Sequence, residues 1–374
     1  MLDAMTRIND LTCCPPDEHA VHFAICVFTD PSILPQGFFL TFFYLFSMKR
    51  AFFLCAVITC AIVLLVWLLA PRSFIAHFSA AIIAGSSYSP SHALSVCLPP
   101  TLISLHGFKT RKFTLAAMTL ALVSGVMLLG SGLHYFCTVL TFYVAKSALI
   151  LYIWRRKLYL GGSCHPYPPL DFWRVAVKGL SPALICTSKL LLTRSYPLTS
   201  SCMNCRIADV AFLSYVACCA GHGFSTELAS VRFAKPRLIT TWRSVMPGVG
   251  GGVTLLSTVA SAFGGAFIGM VFSAVHALSP LLEPLALAPR CCVIAGMLAG
   301  MLGSCFGSLL GATLMYSGLD TVTNKVVSHA NSAAVEHVTG IDLLKPTQIS
   351  FLASGLTSAS FAAVAWLKFS YSLD

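Results

Sequence analysis

Long runs of apolar residues, separated by short polar and basic segments, fill most of this chain. A helix needs roughly 20 apolar residues to cross the hydrocarbon core of a bilayer, so each long run predicts one membrane span. The runs predict about nine spans, within a range of seven to ten. They cover residues 51–70, 79–105, 113–129, 134–154, 175–192, 207–221, 249–275, 291–313 and 348–367. We therefore expect an all-α fold, a polytopic membrane helix bundle.

The composition supports the same class of protein. Of the 374 residues, 57% are hydrophobic and only 10% are charged, whereas soluble domains carry about 25% charged residues. The net charge of +11 is explained by basic loops beside membrane spans. The sequence carries no nucleic-acid-binding motif, so the expected partner is a lipid bilayer and not DNA or RNA.

Basic residues are distributed unevenly when the predicted spans are threaded alternately through a membrane. One side receives Lys49, Arg50, Lys109, Arg111, Lys112, Arg155, Arg156, Lys157, Arg174, Arg232, Lys235, Arg237, Arg243, Lys325 and Lys345, and the other receives Arg72, Arg194, Arg206, Arg290 and Lys368. Basic loops stay in the cytosol, so the richer side is assigned there. Loops 155–174, 222–248 and 314–346 then face the cytosol. The expected location is an endomembrane such as the endoplasmic reticulum.

The N-terminal part of the chain is interpreted separately. Met48-Lys49-Arg50 precedes a long apolar run and resembles the start of a signal anchor. Residues 1–48 are therefore interpreted as an N-terminal extension, and residues 49–374 as a single integral membrane helical domain. The apolar stretch 33–46 is short for a span, which leaves a re-entrant element and an upstream extension of the gene model as alternatives.

Cysteine and glycine patterns give two further expectations. Cys202 and Cys205 form a C-x-x-C pair, but no second pair with zinc spacing follows. Ordinary thiols or one lumenal disulfide are thus expected in preference to a metal site. Glycines recur every three or four residues in two of the predicted spans, which predicts closely packed helices. They are Gly264, Gly265, Gly269, Gly296, Gly300, Gly303, Gly307 and Gly311.

The loop 222–248 and the residues after it combine an acid, basic residues and glycines. Glu227 is the only acid between Asp209 and Glu283. Phosphate is attracted by basic side chains and by bare backbone N–H groups. The predicted phosphate-binding residues of this segment are Lys235, Arg237, Gly248, Gly250, Gly251 and Gly252. The alternatives are a basic loop that only fixes topology and a glycine turn that only begins a span; no G-K-[ST] follows, so this is not a P-loop.

Two blocks, KPRLITTWRSVMPGVGGGVTLLSTVAS (235–261) and GSCFGSLLGATL (303–314), carry a family resemblance. Both resemble blocks of the Transmembrane protein 19 family of integral membrane proteins, which includes plant phytyl-phosphate kinase. The family pattern reads approximately ADTWASELG, then PRLITT, GTNGGVS and later GSLLDSLLGA. The order and separation of the blocks agree, and the family-like core covers about residues 100–367.

The resemblance implies a membrane-embedded transferase. Such an enzyme would phosphorylate an isoprenyl phosphate with a nucleoside triphosphate at the cytosolic face, with Mg²⁺ as cofactor. Glu227 keeps the family glutamate and is the implied catalytic carboxylate and metal ligand. His222, where the family has aspartate, is the second implied catalytic residue. Ser304 and Ser308 remain as implied substrate-binding residues.

Several positions depart from the family pattern. His222 and Gly307 stand where the family has aspartates, and Val249 and Gly250 replace a threonine and an asparagine. Magnesium prefers carboxylate and phosphate oxygens, so these changes remove two plausible ligands. Other acids on the predicted cytosolic face, available in their place, are Asp171, Asp320, Glu336 and Asp342. A catalytically degenerate member with a structural or binding role therefore remains an alternative.

A transporter of small solutes or lipids is the other alternative. Such a protein would carry charged residues at several mid-membrane positions. Here the charges inside predicted spans are few: Lys146, Lys178, Lys189 and Asp209. Asp209 is expected at the far interface or in a pair with Lys178 or Lys189. A structural interpretation of Glu227 pairs it with Arg232, Lys235 or Arg237.

Overall fold

The computed structural model describes residues 90–159, 168–195, 203–229, 235–278, 288–323, 325–328 and 335–371. The N-terminal extension 1–48, the predicted span 51–70 and Cys202 of the C-x-x-C pair lie outside these residues. Within them the chain forms helices and five short strands. The helices are α1 (Pro90–Lys109), α2 (Leu115–Ser131), α3 (Leu133–Tyr159), α4 (Phe172–Val175), α5 (Ser181–Ser195), α6 (Met203–Ala229), α7 (Leu255–Ala277), α8 (Pro289–Leu314) and α9 (Pro346–Tyr371).

The predicted class, a helical membrane protein, is confirmed. Five of the described helices are long and apolar enough to cross a membrane, judged by length and composition. These are α3, α6, α7, α8 and α9, and α2 is a shorter apolar helix. Each lies over a predicted apolar run. The count of about nine spans stays a prediction, because one of those runs lies outside the described residues.

Helix α6 is longer than the predicted span 207–221. It continues for 27 residues to Ala229, because residues 222–229 contain no proline and pack against the neighbouring helices. Gly223 and Phe224 are buried, and the side chain of Leu228 is completely buried. The predicted loop 222–248 is thus corrected: its first eight residues are helical, and Glu227 lies in the last turn of α6.

Helix α6 also forms the centre of the bundle. It contacts α3, α5, α7, α8 and α9, and buried residues occur all around its circumference. A membrane helix surrounded by protein is released from the need for a lipid-compatible face, so it can hold polar side chains. Asp209, Ser214 and Ser225 are buried polar residues of this helix.

Small residues allow α6, α7 and α8 to approach to backbone contact. Gly265 of α7 lies against the backbone of Gly296 and Gly300 in α8. A Cβ added to Gly221 of α6 would lie 2.6 Å from the Cα atom of Gly300 and 2.8 Å from the carbonyl oxygen of Ser261. Close packing through small residues drives helix association in membranes. The prediction from the glycine spacing is confirmed for α7 and α8, and Gly221 adds α6 to the same contact.

The segment that leads into α5 contains an irregular turn. Asp171 caps the short helix α4 by accepting a hydrogen bond from the Arg174 backbone N–H, 3.1 Å away. A π-helical turn, Ala176–Leu180, then precedes α5. The Tyr215 hydroxyl of α6 donates a hydrogen bond of 2.8 Å to the carbonyl oxygen of Val177 in this turn. Single π turns inside helices are frequent at functional sites, and this one carries Lys178.

The strands form a small cap after α6 and α8, which the all-α prediction did not include. Strands β1 (Arg237–Leu238) and β2 (Gly252–Val253) make an antiparallel hairpin. Strands β3 (Ser317–Asp320), β4 (Lys325–Val327) and β5 (Val335–Thr339) form an antiparallel sheet in the order β4-β3-β5. A small apolar cluster of Leu238, Val249 and Ala312, with Val326 and Val338 beside it, joins the hairpin and sheet to the end of α8.

Polar contacts show which helix ends lie together. Tyr135 near the start of α3 and Lys189 near the end of α5 both hydrogen bond to Asp209 near the start of α6. His276, at the end of α7, stacks edge-on against His134 of α3. The starts of α3 and α6 therefore lie at the same end of the bundle as the ends of α5 and α7. Alternate threading requires this arrangement, and it leaves the cap at the opposite end.

Topology is testable through a single introduced cysteine. Ser244 is exposed in the β1–β2 connection, on the side that the basic residues assign to the cytosol. In a cysteine-depleted chain, we expect Ser244→Cys to react with a membrane-impermeant maleimide added from the cytosolic side of sealed vesicles. Labelling from the lumenal side only would reverse the topology.

Glycine packing predicts a stability difference between two substitutions of the same kind. Gly265→Ala places a methyl group against the backbone of α8, and overpacking a closely packed site costs about 1–3 kcal/mol. Gly355→Ala in α9 is the matched control, because a Cβ there meets nothing within 4 Å. Thermal unfolding in detergent should show a lower midpoint for Gly265→Ala alone. Equal midpoints for the two variants would contradict the packing argument.

Candidate functional site

The C-terminal half of α6 lies against the family-like block 303–314 on α8. His222 and Ser225 lie one turn apart on α6 and face α8. The Ser225 hydroxyl is 3.1 Å from the Ser304 hydroxyl, and both side chains are buried. One turn further along α8, Gly307 faces His222. Residues separated by about 80 positions in the sequence thus form one continuous contact between two helices.

His222 occupies the space that a side chain at position 307 would need. A Cβ built on Gly307 would lie 2.6 Å from both Cε1 and Nδ1 of the His222 ring. The two positions at which the family pattern has aspartates are therefore in direct contact, and one large residue faces one residue without a side chain. The replacement of one aspartate by His222 and of the other by Gly307 is therefore sterically linked.

Glu227 is paired within the bundle. Its Oε1 atom lies 3.8 Å from Nζ of Lys146 on α3, and less than a fifth of either side chain is exposed. Lys146 is thus one partner of Glu227 that the predicted structural pairs did not include, and the pairing with Arg232, Lys235 or Arg237 stays a prediction. Nζ of Lys146 also lies against Gly223, where an added Cβ would be 3.5 Å away.

Lys178 joins this ion pair from the π-helical turn. Its side chain contacts that of Lys146 and lies within the electrostatic field of Glu227. His222 is within electrostatic range of both lysines. We call Lys146, Lys178, His222 and Glu227 the interior cluster. It gathers two ammonium groups, one carboxylate and one imidazole from α3, α6 and the π-helical turn.

Two polar atoms beside these charges have no hydrogen-bond partner among the described residues. They are Nδ1 of His222 and the hydroxyl of Tyr143, and both are shielded from solvent. Tyr143 precedes Lys146 by one turn of α3, and its hydroxyl would lie 3.6 Å from a Cβ placed on Gly179, the neighbour of Lys178. A buried polar atom without a partner is costly, so each one needs an explanation.

The predicted phosphate-binding residues of the loop lie in the cap. Lys235 and Arg237 are exposed on the hairpin, and Arg243 is exposed in the turn that follows. The ion pair between Lys146 and Glu227 does not involve these loop residues. Exposure leaves them accessible to a ligand from the aqueous side.

The glycine cluster has a packing role. Gly248 and Gly251 adopt φ values of +103° and +81°, a left-handed conformation that favours glycine. Gly250 and Gly251 lie against the backbone of α8, with a Cβ on Gly251 reaching to 2.7 Å from the carbonyl oxygen of Ser308. The Gly250 N–H donates a 3.0 Å hydrogen bond to the Ser317 hydroxyl. Close approach to α8 accounts for Gly250 and Gly251, and Gly252 lies in β2.

The interior cluster offers a poor donor set for the implied Mg²⁺. No group of three or more His, Cys, Asp or Glu side chains able to hold a metal occurs among the described residues. Glu227 is the one carboxylate of the interior cluster, and it is already paired with Lys146. The residues of the cluster therefore do not fit a resident magnesium ion. The predicted Mg²⁺ would have to arrive bound to the nucleotide.

Two of the alternative acids have local structural roles. Asp171 caps α4. Asp320 accepts hydrogen bonds from the Thr323 hydroxyl and from the backbone N–H groups of Val322 and Thr323. These bonds, that of the Thr323 side chain foremost, hold the pKa of the Asp320 carboxyl below its ordinary value. Both carboxylates complete turns, and Glu336 and Asp342 are exposed in the cap.

A second polar cluster lies at the other end of α6. Lys189 Nζ is 3.0 Å from each carboxylate oxygen of Asp209, and the Tyr135 hydroxyl donates to Oδ1. This confirms the predicted pairing of Asp209 with Lys189. These bonds to Asp209 come from two neighbouring helices, so the cluster ties α3, α5 and α6 together.

The sequence indicated the interior lysines only indirectly. Lys146 and Lys178 were visible as rare charges inside apolar runs, and such residues are costly unless they face the bundle interior and serve a function. What the sequence did not show is that both lysines lie beside Glu227. The contact depends on α3, α6 and the π-helical turn meeting in three dimensions.

These features define a polytopic helical membrane protein with a buried polar site at one end of its bundle. The chain belongs to the integral membrane protein family DUF92, whose pattern matches residues 98–358. The expected kinship with Transmembrane protein 19-type proteins is confirmed at the level of the family.

Two curated relatives illustrate the similarity. Protein PGR of Arabidopsis thaliana is 36% identical over 152 residues, which cover 39% of this chain and 51% of that protein. An uncharacterized membrane protein of Methanocaldococcus jannaschii is 36% identical over 63 residues, or 17% of this chain and 26% of that protein. The chain thus spans about half the length of the first relative and about a quarter of the second. No solved structure matches this chain.

The contact between positions 222 and 307 predicts a non-additive pair of substitutions. Gly307→Ala alone forces a methyl group into the His222 ring and should cost about 1–3 kcal/mol through overpacking. His222→Ala opens that space, so the double variant should be more stable than the sum of the two single effects. Unfolding midpoints of the four proteins measure the coupling. Strict additivity would show that the ring moves away freely.

Proposed function

We propose that this protein is a membrane-embedded transferase that phosphorylates an isoprenyl phosphate with a nucleoside triphosphate at its cytosolic face. The observation that carries the proposal is the contact between the end of α6, where His222 and Glu227 stand at the family's acidic positions, and Ser304 to Ser308 of the family-like block on α8. Membership of the DUF92 family and the similarity to Protein PGR support a shared core.

The position of this convergence suits a lipid acceptor and a water-soluble donor. Glu227 lies in the last turn of α6, close to the cap whose exposed Lys235 and Arg237 are available to a nucleotide. Phosphoryl transfer is catalysed mainly by positioning and by electrostatic stabilisation of the transferring group. In the proposal, Lys235 and Arg237 attract the donor, and Glu227 orients the reacting phosphates.

His222 and the serines have supporting roles in the proposed reaction. The hydrogen bond between Ser225 and Ser304 fixes α8 against α6 at the level of the site. His222 lies next to that bond, with its ring against Gly307, and supplies a polar ring where the family pattern has a carboxylate. Ser308 lies one turn beyond Ser304 on α8, and its carbonyl oxygen lies beside Gly251 of the glycine cluster.

A second candidate function is binding of the lipid phosphate without transfer. One observation favours it: the interior cluster has a single carboxylate, already in an ion pair, and lacks the donor set for a resident metal ion. A magnesium ion would then have to arrive with the nucleotide. The two candidate functions share the isoprenyl phosphate as ligand, so they differ only in whether a phosphate group is transferred to it.

Turnover by purified protein separates the two candidates. Short- and long-chain isoprenyl phosphates are offered with each of the four nucleoside triphosphates and Mg²⁺, and diphosphate product is measured. For an active enzyme, Glu227→Gln should lower the rate by about 100- to 1,000-fold, the usual effect of removing an electrostatic group at a transition state. Glu336→Gln is the control, since that acid is exposed on β5.

The remaining outcomes assign the other possibilities. Product formation that is unaffected by Glu227→Gln would remove Glu227 from the site and direct attention to the acids of the cap. No product from any pair of substrates would favour the binding role. In that case the double variant His222→Asp with Gly307→Asp is the informative protein to assay, because the two positions are in contact and only a joint change restores the family pattern.

A further inference from the structure

We infer that Lys146 and Lys178, together with the hydroxyl of Tyr143, form a binding site for a phosphate monoester inside the membrane bundle. Nothing in the family-like blocks assigns these residues a role, since they come from α3 and the π-helical turn. The inference concerns binding only and holds whether or not the proposed transfer takes place.

The lysines of the interior cluster can accommodate an anion, because protonation of both leaves one positive charge that Glu227 does not offset. Lys146 and Lys178 contact one another, and Glu227 offsets one of their two positive charges at 3.8 Å from Lys146. His222 and Cys219 are further titratable neighbours of these lysines. Two ammonium groups in contact repel each other strongly in a low-dielectric interior, so removing them from water is costly without full compensation. An anion between them would supply the missing negative charge.

Unused hydrogen-bond capacity points to the same ligand. The Tyr143 hydroxyl is shielded from solvent and has no hydrogen-bond partner in the part of the chain described. It lies on the face of α3 that carries Lys146, beside the residue next to Lys178. Nδ1 of His222 is a second buried polar atom without a hydrogen-bond partner among the described residues. Oxygens of an anion can accept several such bonds, and charge-assisted bonds are about twice as strong as neutral ones.

The geometry of the donors favours a phosphate monoester over a carboxylate. The donor groups are three, Tyr143 and Lys146 on α3 and Lys178 on the π-helical turn, and a phosphate monoester has three terminal oxygens to accept from them. A carboxylate with two oxygens would leave donors unused. The side chains of Lys146 and Glu227 keep 19% and 13% of their surface exposed. In the proposal, the ester oxygen and its substituent extend toward that exposed part of the cluster.

The phosphate group recognised by this site could belong to a lipid monophosphate or to free phosphate. Binding measurements distinguish these two ligands. We use full-length protein in detergent with farnesyl phosphate, inorganic phosphate and farnesol, followed by calorimetry. Wild-type protein should bind farnesyl phosphate and not farnesol. Displacement of farnesyl phosphate by millimolar inorganic phosphate would identify the phosphate alone as the recognised group. Resistance to that displacement would identify the lipid monophosphate. Both results support the site.

Substitutions at the site give the decisive comparison. Lys178→Met should weaken farnesyl phosphate binding by about 10- to 100-fold, the loss expected for a hydrogen bond to a charged group, whereas Lys178→Arg should keep most of it. Lys345→Met is the matched control, because Lys345 is exposed in the cap. Tyr143→Phe removes only the hydroxyl, keeps the ring volume, and should weaken binding several-fold without loss of folding.

The inference fails if wild-type protein binds neither phosphate compound, or if Lys178→Met and Tyr143→Phe both bind farnesyl phosphate as tightly as wild type. If Lys178→Met does not fold, Tyr143→Phe alone decides. Failure of the transfer reaction looks different: tight, lysine-dependent binding without diphosphate product would leave this site in place and remove the proposed enzymatic activity.

Discussion

The structure depends on three helices that touch through their backbones. Gly221, Gly265 and Gly300 bring α6, α7 and α8 so close that no side chain fits between them. In a bilayer the surrounding lipid is as apolar as the helices, so such contacts supply much of the cohesion that burial supplies in water. The contact lies one residue before His222 on α6. It therefore also sets the distance between α6 and α8 at the level of His222 and Gly307.

Around this contact, the two acidic residues of α6 lie near its two ends in different electrostatic surroundings. Asp209 near one end is held by Lys189 and Tyr135, so its charge is compensated by one cation and a hydroxyl. At the other end, Glu227 pairs with Lys146, and Lys178 lies beside that pair. The first arrangement is an ion pair between helices, and the second is the place to which the anion site is assigned. A single helix thus combines a structural lock with a site suited to an anion.

The sequence predicted the helical membrane class, the close packing of glycines and the pairing of Asp209 with Lys189, because each follows from local periodicity or from the cost of an unpaired charge. It placed Glu227 in a loop, since the uninterrupted apolar run ends at Gly221, and it did not include the small sheet after α8. It also left Lys146 and Lys178 unconnected to Glu227. Those contacts arise from the crossing of three distant segments, which periodicity does not contain.

The tight contact between His222 and Gly307 also constrains the order in which this site can change over time. A side chain gained at position 307 meets least strain when the residue at 222 has already become smaller. In the opposite direction, a ring at position 222 meets least strain when position 307 has already lost its side chain. The two positions therefore change most easily in a fixed order, whatever the activity that selection acted upon.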